Sequence, residues 1–314
     1  MAVLVTGGAG YIGSHTCLAL LRGGYDVIIV DNLSNSNPES IARVEDLAHK
    51  KMLFFPVDIR DGEGLGRVFR ENSVDAVIHF AGLKAVKEST EKPLEYYENN
   101  VGGTLNLCRV MGECGCKKMV FSSSATVYNQ SNTSPLTEDM PVGETTNPYG
   151  TTKYIIERIL ADLCKADKDW RASLLRYFNP IGADKSGQIG EDPNGRPNNL
   201  VPFVAQVAVG KLPCIEVTGT DYPTPDGTGV RDYLHVSDLA DGHIKALERL
   251  MKTPGCETFN LGTGKGSSVL EVIAAYERAC GQKLPVVKKD RRDGDIAECY
   301  SDPSKAEKLL GWKA

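Results

Sequence analysis

Three glycines near the start of the chain, Gly7-x-x-Gly10-x-x-Gly13, follow directly on the β-branched run Val3 to Thr6 and precede a helical pattern reaching about Leu21. A strand, a glycine-rich turn and a helix in that order open a dinucleotide-binding α/β fold. Gly7 permits the tight turn, Gly10 lets the backbone approach a pyrophosphate, and Gly13 lets helix and strand pack closely, while the helix N-terminus offers N–H groups to the anion. The next apolar run, Val27 to Val30, ends at Asp31, eighteen residues past Gly13. A carboxylate there accepts hydrogen bonds from a ribose diol and repels a 2′-phosphate. No Lys or Arg stands between Asp31 and Arg43 to neutralise such a phosphate. The pattern predicts NAD as the coenzyme. A second strand-end acid, Asp58, is placed either to meet the adenine or to sit as a solvated loop residue.

Further β-branched runs at Leu53 to Val57, Ala76 to Phe80, Met119 to Ser122 and Ala172 to Tyr177 alternate with amphipathic segments. Continuous apolar strands of this kind are buried on both faces, which predicts a doubly wound parallel sheet of Rossmann type covered by helices on each side. From Asn179 the texture turns polar and rich in Gly, Pro and Asn, through Asn199 and again from Gly219 to Gly229. Helices are expected at Leu200 to Val209, Val236 to Leu250, Ser268 to Ala279 and Pro303 to Leu310. The 314 residues therefore divide into a dinucleotide-binding domain over 1–178 and a smaller C-terminal substrate-binding α/β lobe over 179–314, interleaved with the first.

A net charge of -5, from 36 Lys plus Arg against 41 Asp plus Glu, disfavours nucleic acid or an anionic membrane as the main partner. No apolar run approaches the roughly 18 to 20 residues needed to cross a bilayer, and the opening residues lack a secretory pattern. The expectation is a cytoplasmic protein. Nine cysteines, an odd number scattered from Cys17 to Cys299, fit reduced thiols, and the pair Cys114 and Cys116 has no second cluster to complete a zinc site. No metal is expected.

Tyr149 and Lys153 stand four apart at the start of a helical segment and so share a face. One cation about 5 Å from a phenol, at an effective dielectric near 20, favours the phenolate by ~3 kcal/mol, roughly two pKa units. Ile155, Ile156, Ile159, Leu160 and Leu163 fall on the same side of the wheel, so the pair is expected beside a buried stripe.

Taken together, the glycine loop, the strand His79-Phe80-Ala81-Gly82, the segment Ser122-Ser123-Ser124-Ala125-Thr126-Val127-Tyr128 and Tyr149-x-x-x-Lys153 resemble the extended short-chain dehydrogenase/reductase family over nearly the whole chain. The strings Gly82-Leu83-Lys84-Ala85-Val86, Arg176-Tyr177-Phe178-Asn179-Pro180, Gly190-Glu191-Asp192-Pro193, Pro197-Asn198-Asn199-Leu200 and Asp226 to Tyr233 are similar to those members that invert C4 of UDP-hexoses. The resemblance implies that Tyr149 removes the O4 proton while NAD takes hydride from C4. Lys153 is then expected to bias the phenol and Ser124 to relay the proton. It places Gly7, Gly10, Tyr11, Ile12, Gly13, Asp31, Asn32, Asn35, Ser36, Asp58, Ile59, Phe80, Ala81, Gly82, Lys84, Asn99, Ser122, Tyr149, Lys153 and Tyr177 against the coenzyme. Against the UDP-sugar it places Lys84, Ser124, Tyr149, Phe178, Asn179, Asn199, Leu200, Thr218, Arg231, Tyr233, Arg292, Asp295 and Cys299. A homodimer is implied as well.

The chain departs from that pattern in several places. Asn129 stands where the family has Gly, Thr218 where bacterial relatives carry an aromatic near the uracil, and the relatives continue into a terminal helix beyond the position of Ala314. Cys299 replaces a tyrosine that walls the hexose pocket in many bacterial members; relatives with a small residue there also accept N-acetylated sugars, and that wider specificity is expected here. Two other readings compete. A nucleotide-sugar 4,6-dehydratase or decarboxylase needs acids where this chain has Ala125 and Thr126, and a non-catalytic dinucleotide sensor has no need of an intact Ser124, Tyr149 and Lys153.

Overall fold

A computed structural model describes residues 1–193, 195–291 and 295–314. Arg292 therefore lies outside the described residues. The glycine-loop unit forms as expected: β1 (Ala2–Thr6) leads through the loop into α1 (Tyr11–Arg22) and β2 (Asp26–Val30). There follow α2 (Glu39–Ala48), β3 (Leu53–Phe55), α3 (Gly62–Glu71), β4 (Ala76–His79), α4 (Val86–Glu91) and α5 (Pro93–Tyr96). A π-helical turn, Tyr97–Gly102, runs into α6 (Gly103–Glu113), then β5 (Lys118–Ser124), α7 (Pro148–Ala166) and β6 (Arg171–Tyr177).

Past residue 178 come β7 (Asn179–Ile181), α8 (Leu200–Ala208), β8 (Ile215–Thr218), β9 (Val230–Arg231), β10 (Tyr233–His235), α9 (Val236–Leu250) and β11 (Gly255–Leu261). The chain closes with β12 (Ser267–Ser268), α10 (Val269–Cys280), β13 (Val286–Lys289), β14 (Glu298–Cys299) and α11 (Ser304–Leu310). Among the described residues the main sheet has seven strands, all parallel, in the order β11-β6-β5-β4-β1-β2-β3. Strand order reverses between β1 and β4, which opens a crevice at their C-terminal ends, and ligands of such sheets bind in that crevice.

Apolar side chains fill both faces of the sheet. On one face Val3, Val5, Ile29 and Ile78 pack with Leu18 and Leu21 of α1 and Leu239 and Leu247 of α9. On the other, Leu4, Ile28, Val77 and Phe121 pack with Leu65 of α3, Leu107 of α6 and Ile156 and Leu160 of α7. A separate small core, Val204, Val207, Ile215, Val217 and Ile273, holds α8, β8 and α10 together away from the sheet. The sequence boundary at 178 is crossed by β11, which pairs with β6 from Gly255↔Arg171 to Leu261↔Tyr177. Reading along the chain missed this strand because its first four residues are only half-buried, so no continuous apolar run marks it.

Asp232, fully buried between β9 and β10, ties the C-terminal segments to one point. Its carboxylate accepts from the Thr263 N–H and hydroxyl, the Gly264 N–H, and the Ser301 N–H and hydroxyl, at 2.6 to 3.1 Å. The neighbouring Arg231 and the segment carrying Cys299 are positioned by that cluster. All nine cysteines are free, and the described residues hold no cluster of His, Cys, Asp or Glu able to bind a metal. No described helix is long and apolar enough to cross a membrane.

Candidate active site

The crevice is shaped by backbone meeting backbone. Gly7 takes a φ of 70°, and a Cβ there would lie 2.8 Å from the Ala81 nitrogen on the far side of the switch point. A Cβ on Gly13 would lie 2.2 Å from the Gly7 carbonyl oxygen, so any side chain would push α1 off β1. Gly10 stands at the N-cap of α1, where no side chain caps the helix, and helix geometry leaves the first N–H groups without intrahelical acceptors. Gly7, Gly10, Asp31, Asn32, Asn35, Ser36, Ile59, Ala81, Gly82 and Asn99 line one cavity together with Val30, Ser34, Val57 and Leu83. A cradle that a Cβ would fill, walled by a buried carboxylate at the end of β2, fits a dinucleotide.

Asp31 holds this cavity open from beneath. Its oxygens accept from the Ala9 N–H at 3.0 Å, the Leu33 N–H at 2.9 Å and the Ser36 hydroxyl at 2.9 Å. Asp58 is placed differently: Arg60 grips both of its oxygens and Asn32 one of them, and these bonds hold the carboxyl well below the usual range. Its side chain is thus spent on Arg60 beside the cavity. Tyr11 donates to the Gly182 carbonyl at 2.7 Å, and His15 accepts from the Asp184 N–H at 3.1 Å. Both bonds tie α1 to the loop that follows β7. Ile12 packs against the sheet core, and Phe80 lies 4.8 Å, centroid to centroid, from His243.

At the C-terminal end of β5 the second group assembles. Asn147 caps α7 by accepting from the Gly150 N–H at 2.9 Å and Pro148 fills its first turn, which fixes where Tyr149 and, one turn on, Lys153 emerge. Lys153 donates to the Ser122 carbonyl at 2.6 Å and lies over the Phe121 ring at 4.8 Å and the Tyr149 ring at 5.9 Å. Ser124 accepts from both the N–H and the hydroxyl of Thr126. With its acceptor positions filled, its own O–H is left to donate, and Tyr149 is its partner. The expected apolar stripe divides: Ile156 and Leu160 are buried, whereas Ile155, Ile159 and Leu163 are half-exposed.

Electrostatics correct the sequence estimate. Burial pushes the Tyr149 phenol up to about 12, with the Ser124 hydrogen bond pulling against it. Burial also pulls the Lys153 ammonium down to about 7, opposed by the charge of Glu157. Desolvation outweighs the cation's pull because the low dielectric that strengthens the pair also disfavours both charged forms. His79 is kept neutral by burial and by Lys153, falling to about 3, and sits between the Thr6 and Thr104 hydroxyls. His243, lowered to about 4 by burial, faces the Leu239 carbonyl through Nδ1 and the Tyr177 hydroxyl through Nε2. Since Nδ1 must donate to that carbonyl, Nε2 accepts from Tyr177.

The residues expected to hold a second ligand are spread over the loop after β4 and the elements past β6. Glu191 accepts from Lys84 at 3.3 Å and from Asn199 at 2.6 Å, a contact the sequence gave no sign of. Leu200 opens α8, and Thr218 ends β8 opposite Lys289. Asn179 and Tyr233 face each other across β7 and β10. Arg231 lies 3.6 Å from Asp295. Phe178 packs with Tyr128 and Leu136 in a cluster that Ala125 and Cys299 flank, and burial pushes the Cys299 thiol up to about 11. Asn129 is not among the residues with left-handed backbone, so the missing glycine costs nothing there.

This is the architecture of an enzyme that holds a dinucleotide beside a tyrosine and lysine pair, and the chain belongs to the NAD dependent epimerase/dehydratase family, whose sequence profile matches residues 3–262. It is 59% identical to the UDP-glucose 4-epimerase of Bacillus subtilis (strain 168), over 100% of this chain and 92% of that protein. The UDP-glucose 4-epimerase of Bifidobacterium longum, solved in complex with NAD+ and UDP, superposes with a TM-score of 0.97 at 57% identity, covering 100% of this chain and 93% of that one. The UDP-Glc/GlcNAc 4-epimerase of Campylobacter jejuni gives 0.86 at 36%, covering 99% and 93%.

The buried lysine makes stability pH-dependent in a defined sense. The unfolded chain binds the Lys153 proton more tightly than the folded one, so the burial cost is complete below about pH 7. It fades as the pH climbs toward the ordinary lysine value and the unfolded chain loses its proton too. In coenzyme-stripped protein, Lys153→Met should therefore gain more Tm relative to the parent at about pH 6 than at about pH 9. A Tm difference that stays constant across that range would contradict the assignment.

Proposed function

We propose that this chain interconverts UDP-galactose and UDP-glucose at C4 of the hexose through a 4-keto sugar, using NAD that it keeps bound. The observation that carries the reading is the convergence of Ser124, Tyr149 and Lys153 at the end of β5, on the side of the sheet where the Gly7-Gly10-Gly13 crevice opens. The high similarity to UDP-glucose 4-epimerases over the full chain supports it. Gly7, Gly10, Gly13, Asp31 and the residues lining the cavity would hold NAD, whose chemistry is to take a hydride and give it back.

Tyr149 is the acid and base for O4. Its phenolic oxygen accepts the O4 proton as the hydroxyl becomes a ketone and returns it when the alcohol reforms. Ser124, whose two acceptor positions Thr126 fills, donates its O–H to the Tyr149 oxygen and so favours the phenolate that takes the O4 proton. Lys153 steadies the phenolate. Inversion requires that the hexose turn over while the nucleotide stays put. Arg231 and Arg292 suit the diphosphate because a guanidinium forks onto oxyanions, and Asn179, Asn199, Leu200, Thr218, Tyr233 and Asp295 hold the rest of the nucleotide. Elimination or decarboxylation lacks its acid: Ala125 has no proton to give, and the Thr126 hydroxyl already donates to Ser124.

Because the hydride returns to the sugar it left, purified protein should convert UDP-galactose to UDP-glucose without added coenzyme. Tyr149→Phe should lower that turnover by about 10² to 10⁴ while leaving the coenzyme bound. Stoichiometric accumulation of NADH in the wild type would make the protein a dehydrogenase, and no turnover at all would favour a sensor.

The substrate range extends to UDP-N-acetylglucosamine and UDP-N-acetylgalactosamine. Cys299 adds the volume of a small apolar residue to the cluster around Phe178, and the Tyr300 ring lies against Gly266. The similarity to a UDP-Glc/GlcNAc 4-epimerase supports this. Cys299→Tyr should abolish turnover of the acetylated sugars and spare UDP-galactose; equal losses on both would sink the pocket argument.

The chain pairs with a second copy through the face that carries Leu94, 74% exposed, and Leu105, 43% exposed, beside the half-exposed Ile155 and Ile159 of α7. The π-helical turn packs on both α6 and α7, and α5 packs on α7, so these exposed apolar side chains sit on neighbouring elements, and clustered exposed apolar residues mark an association surface. Sedimentation of wild type should give a dimer and that of Leu105→Arg a monomer. A monomeric wild type would remove the proposal.

A further inference from the structure

Beneath the reacting groups lies an ion pair that the reaction itself does not use. Glu157 and Arg176 are joined by two parallel bonds, Nε to Oε1 at 2.9 Å and Nη2 to Oε2 at 2.7 Å, with both side chains 5% exposed. Ser123 donates to Glu157 at 2.5 Å. Arg176 reaches the Glu138 carbonyl at 3.3 Å and lies over the Tyr128 ring at 4.8 Å, whose hydroxyl continues to Asn260 at 2.6 Å. Two charges removed from water are costly to keep, and a hydrophobic pair of similar volume would often be as stable. Stability alone does not account for them.

Their position does. Glu157 is one helical turn past Lys153 and two past Tyr149 on the same face of α7. Ser123 lies between Ser122, whose carbonyl accepts from Lys153, and Ser124, the partner of Tyr149. Arg176 precedes Tyr177, at the end of β6. We propose that Glu157 is a positioning residue of the reaction: it locks the α7 turns bearing Tyr149 and Lys153 to the β5 segment bearing Ser122 and Ser124, and sets a carboxylate one helical turn from Lys153 whose charge favours the ammonium.

Among the described residues, no other titratable or charged group acting on Lys153 supplies an anion. Tyr149 shares its helix, Tyr96 of α5 faces Tyr149, His79 of β4 is neutral, Tyr177 of β6 is held protonated by burial, and Arg176 is a cation. In Glu157→Gln the Lys153 ammonium loses its counter-charge and gains an unbalanced guanidinium, both of which favour the neutral amine.

The inference rests on the reading of Tyr149 and Lys153 as the chemical pair, so Lys153→Met is assayed alongside. In the NAD-loaded enzyme, Glu157→Gln should lower kcat roughly tenfold or more with KM little changed, and move the alkaline limb of the kcat–pH profile to lower pH by about one unit or more. Glu157→Asp, which keeps the charge, should restore the limb and part of kcat. Ser123→Ala, which keeps the ion pair, should fold, lower kcat a few-fold and leave the limb in place. A Glu157→Gln enzyme with wild-type kcat and a superimposable pH profile overturns the proposal, whatever its Tm. If Glu157→Gln does not fold, wild-type kcat in Glu157→Asp together with wild-type kcat in Ser123→Ala overturns it equally. Retained turnover in Lys153→Met fails the underlying reading instead.

Discussion

The site depends on one contact between two stretches of backbone. With a Cβ at Gly13 only 2.2 Å from the Gly7 carbonyl, α1 approaches β1 as closely as main-chain atoms allow, and its N-terminus is thereby brought to the switch point between β1 and β4. Every later placement is measured from there. β4 lies beside β1, β5 beside β4, and the register Val77↔Met119 to His79↔Phe121 sets how far Ser122 and Ser124 extend past the end of β4. α7 then crosses that edge with its tyrosine and lysine. Loss of the close approach would move the anion-binding end of α1 while leaving the reacting side chains where they are.

What the sequence made legible were the features whose physics is local. Apolar runs from Val3 to Thr6 and from Val27 to Val30 read as strands because both of their faces are covered, and Gly7, Gly10 and Gly13 read as a phosphate turn because the spacing serves no other purpose so well. Asp31 was legible for the same reason. The Tyr149 and Lys153 pair was found, but its electrostatics were misjudged: the attraction depends on a separation that helical spacing supplies, and the opposing desolvation depends on burial that it does not. Glu157 and Arg176 were invisible as a pair, since nineteen positions separate them in the sequence and only the adjacency of α7 to β6 brings them together. A charged residue among the apolar positions Ile156 and Leu160 was the one available hint.

Beside its own apolar core around α8, β8 and α10, the smaller lobe carries a buried polar knot. Asp232 gathers Thr263, Gly264 and Ser301 from two separate segments. A buried carboxylate holding five donors, two on one oxygen and three on the other, constrains direction as well as distance, because donors prefer to approach near the carboxylate plane. Arg231, the residue before it, inherits that orientation. The lobe's arginine is therefore aimed by main-chain architecture, whereas the walls around Cys299 and Phe178 are set by packing and tolerate a change of volume more readily.

Tyr11 and His15 fasten the first helix to Gly182 and Asp184, and that stitch gives the molecule a property of a different kind. The helix that faces the coenzyme's phosphates and the loop that leads into the sugar lobe share a hinge point, so loosening one disturbs the other. The two bonds join the helix that opens on the crevice to the loop leading into the smaller lobe, so the crevice and the lobe are braced against each other. A redox reagent housed behind such a fastening behaves as a fixture that is used and regenerated in place, insulated from the ratio of oxidised to reduced coenzyme in the surrounding solution.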